Sequence, residues 1–234
     1  MKLVLLPGMD GTGRLFANFI TALGSEFDAQ VVSYPQDASL QYAELEEFAR
    51  NATGESEPFV LVAESFSVPI AIRWAASAPE NLKGLVLCAG FVSSPLKGAR
   101  RLVALALGPI LFRWRPPDFM LRWLLVGRAG NSSLLVAVRA TLSEVKPDVL
   151  AARLRLVLNC DERVNLRQLK LPILFIRPTR DQTVPVSAYE EVRATNPMVE
   201  MKVVDGPHLV LQTNSQTCAD FVSGFVKASW LHVS

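Results

Sequence analysis

At 234 residues, half of them apolar and a fifth charged, the chain is long enough for one well-buried core and too apolar for a disordered segment. Its net charge is +2, and its longest apolar run, Leu102 to Phe112, is broken by Gly108-Pro109 and falls far short of the roughly 20 residues that cross a bilayer. Three cysteines, Cys88, Cys160 and Cys218, without paired spacing suggest neither a disulfide framework nor a zinc site, so a reducing, cytoplasmic setting is expected.

Read along the chain, short apolar runs end in turn residues: Leu3 to Leu6, Gln30 to Tyr34, Phe59 to Ala63, Gly84 to Cys88, Ile173 to Ile176 and Met201 to Val204. The first is too short for the apolar region of a signal peptide. Most are apolar throughout rather than alternating, the pattern of parallel strands covered on both faces. Helical periodicity occupies Leu15 to Leu23, Leu40 to Ala52, Val68 to Ala76, Ser187 to Ala194 and Ala219 to Val226. Alternation of this kind predicts an α/β fold with a doubly wound, mostly parallel sheet of about six strands. The rhythm breaks once, between the fourth and fifth strands. The stretch 97–170 carries 14 Lys or Arg against 5 Asp or Glu, and its mixture of Leu, Ala, Val, Trp and Arg suits several helices. Residues 1–96 and 171–234 are therefore expected to form the core, with 97–170 as an inserted helical cap.

Four segments carry candidate chemistry. Val60 to Pro69 runs from a strand into a helix, with Ser65 at the junction between the small residues Ala63 and Ser67. That is the setting of a nucleophile elbow, although a Ser at such a junction is also a common helix cap. A serine hydroxyl needs a base. The chain has two histidines: His232, near its last residue, reads as a solvated tail position, whereas His208 follows the last strand in Asp205-Gly206-Pro207-His208. The imidazole in turn needs a carboxylate to fix its tautomer, and Asp181 lies in the loop after the fifth strand. Asp161 and Asp205 compete for that role, the first inside the expected cap and the second very close to His208. The last segment is Leu6-Pro7-Gly8-Met9-Asp10-Gly11-Thr12-Gly13 after the first strand. Here the N–H of Met9, with that of Phe66 after the nucleophile, would face an oxyanion. A phosphate cradle lacks both its Lys-Ser/Thr ending and the G-x-G-x-x-G spacing.

In order and in placement after successive strands, these four segments resemble the α/β-hydrolase superfamily, and the resemblance spans nearly the whole chain. The loop Pro7 to Gly13 is similar to the oxyanion loop of some lipolytic and acyl-transferring members. The chain departs from the superfamily pattern at Ala63 and Ser67, where Gly is usual, at Pro178, and in lacking the first two strands of the usual sheet. The resemblance implies a serine hydrolase of carboxylic esters with small to medium acyl groups. Ser65 would be acylated with His208 as base and Asp181 as its orienter, with no metal or organic cofactor. It also implies an acyl pocket beneath the cap, for which Trp114, Phe119, Met120 and Trp123 are the expected apolar wall. Arg100, Arg101, Arg113, Arg115, Arg122 and Arg128 form either a solvated face or an attraction for an anionic partner, such as an acyl-carrier protein, or a membrane surface. Nucleic acid is not expected, since no binding motif accompanies the charge. An acyltransferase or acyl-carrier-protein ester hydrolase with the same triad, and a catalytically silent binding protein on this fold, remain the rival readings.

Overall fold

The computed structural model describes residues 1–54, 56–114, 116–127 and 132–231, so Arg115, Arg128 and His232 lie outside the described residues. Six strands form, β1 (Lys2–Leu6), β2 (Asp28–Val31), β3 (Phe59–Glu64), β4 (Leu82–Cys88), β5 (Ile173–Pro178) and β6 (Glu200–Val204). They make one sheet in the order β2-β1-β3-β4-β5-β6, and every pairing is parallel. The expected doubly wound sheet is therefore present. β2 lies two residues earlier than its apolar run suggested, because Lys2 pairs with Asp28 and the run's end bonds onward. Tyr34 N–H donates to the Gly11 carbonyl at 2.8 Å, tying the edge to the loop after β1.

Helices cover both faces. A 3₁₀ turn (Arg14–Phe16) leads into α1 (Ala17–Leu23), and α2 (Tyr42–Thr53) and α3 (Val68–Ala76) follow. Beyond β5 come α9 (Val186–Thr195), α10 (Val210–Thr213) and α11 (Ser215–Leu231). Along β3, Leu61 and Ala63 enter the cluster shared with Leu45 of α2 and Trp74 of α3. Their neighbours Val60 and Val62 enter the opposite one, with Phe19 of α1 and Val222 of α11. Both sides of each central strand are thus buried, which is why these runs do not alternate.

Between β4 and β5 lie α4 (Gly98–Trp114), α5 (Asp118–Leu121), a π-helical turn (Arg122–Val126), α6 (Ser132–Glu144), α7 (Pro147–Asn159) and α8 (Arg163–Gln168). The neck of this insertion is closed by an antiparallel bridge between Ser93 and Asp161. Two further bonds hold it, Ser94 N–H to Cys160 O at 2.9 Å and Glu162 N–H to Val92 O at 2.7 Å. α8, expected to belong to the cap, instead packs on α3 and α9. The reason is local: Leu166 is fully buried in the core, Asn196 Nδ2 donates to the Leu166 and Leu169 carbonyls at 3.0 Å, and Arg73 pairs with Glu162 at 3.0 Å. Among the described residues no helix is long and apolar enough to cross a membrane.

Candidate active site

Because all strands run parallel, the loops after β1, β3, β5 and β6 emerge at one edge of the sheet, and those after β1 and β3 flank the point where strand order reverses. Ser65 follows β3 directly with φ 51°, a left-handed conformation rarely adopted by a residue with a side chain. The turn lifts Oγ off the strand and starts the 3₁₀ segment Ser65–Ser67 that feeds α3. Ser67, where the superfamily pattern has Gly, is fully buried. Its hydroxyl donates to the Pro7 carbonyl and accepts from Tyr34 OH at 2.7 Å, so the substitution links the Ser65 turn to the loop after β1.

The structure brings Ser65, His208 and Asp181 together. His208 Nε2 lies 2.9 Å from Ser65 Oγ, and His208 Nδ1 lies 2.7 Å from Asp181 Oδ2. Asp181 also accepts from Tyr189 OH at 2.5 Å and from the N–H groups of Thr183 and Val184 at 2.7 and 2.9 Å. Burial pushes its carboxyl pKa up, but His208 and these donors outweigh burial and hold it below the usual value. An ionised carboxylate only accepts, so His208 carries its proton on Nδ1 and presents Nε2 to the Ser65 hydroxyl. Burial acts to lower the imidazole pKa, and Asp181 reverses this, leaving it raised. The rivals are elsewhere: Asp205 is bound by Thr179 and Arg180, and Asp161 by Arg163 at the neck.

Met9 and Phe66 line the cavity at Ser65. The Gly8 carbonyl accepts from Gly11 N–H at 2.9 Å, and a trans peptide then points the Met9 N–H the opposite way. Phe66 stands at the helix start, where N–H groups lack intrahelical partners. A buried arginine also reaches this loop. Arg153 reaches from α7 into the core, 3% exposed, and Nη1 donates to the Met9 and Asp10 carbonyls at 3.0 and 2.7 Å, Nη2 to Pro35 O at 3.0 Å. Its guanidinium also lies 5.8 and 6.0 Å from the ring centroids of Tyr34 and Phe66. A lone Arg in a helical pattern reads as surface, and nothing in the sequence marks this one otherwise.

The cavity above Ser65 measures about 190 Å³ and is walled by Phe91, Val138, Leu142, Leu154 and Val157. This corrects the expected wall. Trp114, Phe119 and Trp123 are exposed and do not line the cavity, and Met120 lines a neighbouring groove instead. Helical spacing identifies an apolar stripe but not which way it faces, and here the inward positions fall to α6 and α7.

No protein-family model matches the chain. It is 26% identical, over 97% of its length and 95% of the relative's, to the pimeloyl-[acyl-carrier protein] methyl ester esterase of Methylococcus capsulatus. The structure matches that of a bromoperoxidase from Bacillus anthracis with TM-score 0.83 at 17% identity, covering 97% of this chain and 91% of the other. It also matches an esterase from Exiguobacterium antarcticum with TM-score 0.82 at 14% identity, covering 97% and 92%. These likenesses, with the parallel sheet and the order of its loops, show that the chain has the α/β-hydrolase fold.

Several buried groups at the site tie stability to pH, Glu64 among them. Glu64, beside Ser65, is 2% exposed, and burial pushes its carboxyl from 4.5 up to about 7 against the opposing pull of Gln212 and His208. Between those values the folded chain holds a proton that the unfolded chain has lost, so this group's contribution to stability declines as pH rises through the window. Glu64→Gln should remove this group's share of the decline, gaining up to about 3 kcal/mol on the wild type between pH 5 and pH 8. Urea unfolding at the two pH values measures the difference.

Proposed function

We propose that the protein is a serine esterase that hydrolyses carboxylic esters through an acyl-enzyme. The observation that carries this reading is the continuous hydrogen-bonded path from Ser65 Oγ through His208 to Asp181, at 2.9 and 2.7 Å. Ser65 attacks the ester carbonyl while His208 Nε2 takes its proton, and Asp181 stabilises the imidazolium that forms. The carbonyl oxygen, as it gains charge, is received by the N–H groups of Met9 and Phe66. His208 returns the proton to the leaving alcohol, and water, deprotonated by the same imidazole, then releases the acid. The apolar cavity under the inserted helices would hold the acyl group and exclude bulk water.

Arg153 is a positioning residue in this scheme. By gripping the Met9 and Asp10 carbonyls it keeps the loop after β1 in one conformation, so the Met9 N–H is already oriented when charge develops. A second reading, hydrolysis of an ester carried on an acyl-carrier protein with the same three residues, is favoured by the likeness to the Methylococcus capsulatus esterase.

Hydrolysis of p-nitrophenyl esters from acetate to palmitate tests the reading. Ser65→Ala should lower kcat by at least about 10³-fold without loss of folding, and undiminished turnover in that variant would refute the assignment. Arg153→Met should lower kcat about 10- to 100-fold with KM little changed, Arg153→Lys recovering part of it. Equal losses in KM and folding stability, with no separate effect on kcat, would reduce Arg153 to a structural support.

A further inference from the structure

The inserted helices carry an apolar face that the esterase reading does not use. On α4, Val103, Leu107, Ile110 and Trp114 recur at helical spacing, and Leu102 stands beside them, all exposed. A stripe of this kind ordinarily faces a core. Here the opposite side of α4 does so, and Gly108 is packed so closely on α7 that an added Cβ would lie 2.3 Å from Leu154. Past the end of α4, Phe119 and Trp123 are also open to solvent. Exposures of 82%, 76% and 61% for Trp114, Phe119 and Trp123 are far more than isolated surface apolar residues require.

The same elements are strongly basic. Residues 98–127 contain five Arg and a single acid, Asp118, and that acid is bound by Arg139. Arg100 and Arg113 are exposed, with no ion-pair partner among the described residues. The face also communicates with the reaction site. A groove of about 530 Å³ runs between α4 and the Asp118–Val126 segment, with Val103 and Leu107 on one bank and Met120 and Leu124 on the other. It shares Met9, Leu125, Leu142, Leu154 and Thr183 with the cavity above Ser65.

We propose that this face docks the protein on an anionic lipid surface, and that the groove admits the acyl chain of a lipid ester from that surface toward Ser65. The second half rests on the esterase reading; the first does not. Trp and Phe rings beside Arg, on a helix with an apolar stripe, match the chemistry of a headgroup layer, where rings sit at the boundary and guanidinium groups meet phosphate. A second copy of the chain would set arginines against arginines. An acidic carrier protein would satisfy the charge but leave the two indoles and the Phe119 ring without a use.

Co-sedimentation with vesicles tests this, using the Ser65→Ala protein so that binding is read without hydrolysis. The expected result is binding to phosphatidylcholine vesicles containing phosphatidylglycerol, weaker binding to phosphatidylcholine alone, and loss on raising the salt. Arg100→Glu with Arg113→Glu, and separately Trp114→Ser with Phe119→Ser, should each weaken partitioning by roughly tenfold or more, and both pairs are exposed enough to spare the fold. Hydrolysis of soluble esters by the wild type without vesicle binding would overturn the docking face while leaving the esterase reading intact. Binding without hydrolysis would do the reverse. Capture of an acidic carrier protein without vesicle binding, or a salt-resistant dimer that covers α4, would also overturn the proposal.

Discussion

A left-handed turn at Ser65 is the constraint on which the site depends. With φ 51° the residue sits in a conformation that costs of order 1–3 kcal/mol for a side-chain-bearing residue, and it persists only because its surroundings determine it. β3 is paired on both sides, to β1 and β4, so the strand cannot shift to relax the turn. α3 begins at once beyond the 3₁₀ segment, and Gly90 lies so close to Val68 that an added Cβ would lie 2.2 Å from Val68 Cγ2. The Ser67 hydroxyl adds bonds to Pro7 and Tyr34. Strain at Ser65 is thereby offset by packing elsewhere, and the hydroxyl stands clear of the sheet within reach of His208.

From that turn the other parts follow by topology. Parallel strands deliver the Met9 loop, Ser65, Asp181 and His208 to one edge, and the Leu124 and Leu125 carbonyls of the insertion steady the last two loops through Thr183 and Leu209. The insertion also holds the loop after β1. Arg153 is the single side chain from α7 that hydrogen-bonds Met9 and Asp10 among the described residues, and it accepts burial because three carbonyls and a nearby carboxylate, Asp10, compensate its charge. Movement of α7 away from the core would free the Met9 and Asp10 carbonyls from Arg153 as well as open the cavity. The proposed esterase reading therefore ties access to the cavity and the conformation of the loop after β1 to one guanidinium.

Much of this was legible in the sequence, for identifiable reasons. Val60, Leu61 and Val62 are apolar in succession because both faces of β3 are covered, and loops at the carboxyl ends of such strands are where reacting side chains gather. Ser65, Asp181 and His208 could be singled out as candidates by their order, by their places after successive strands and by the small residues flanking Ser65. Other features were hidden. Arg153 stands among leucines and a second arginine in α7 with nothing to set it apart, and only the fold reveals that it points inward. Trp114 ends a stripe with core-like spacing but faces solvent, since burial of α4 is decided by where it meets α7, and Phe119 and Trp123 on the following segment are exposed as well. α8 carries the same mixed composition as its neighbours, yet Glu162 and Leu166 dock it on the core. Ser67 departs from the usual Gly of the elbow for a reason the sequence does not carry, the bonds of its hydroxyl to Pro7 and Tyr34.

The most direct measurement is peptide mass spectrometry after treatment with a fluorophosphonate, which bonds to an activated serine. A stoichiometric adduct on Ser65, lost in His208→Ala and strongly slowed in Asp181→Asn, is the expected result. A folded wild-type protein that leaves Ser65 unmodified, or that carries the adduct on another serine, would contradict the assignment of Ser65 as the nucleophile.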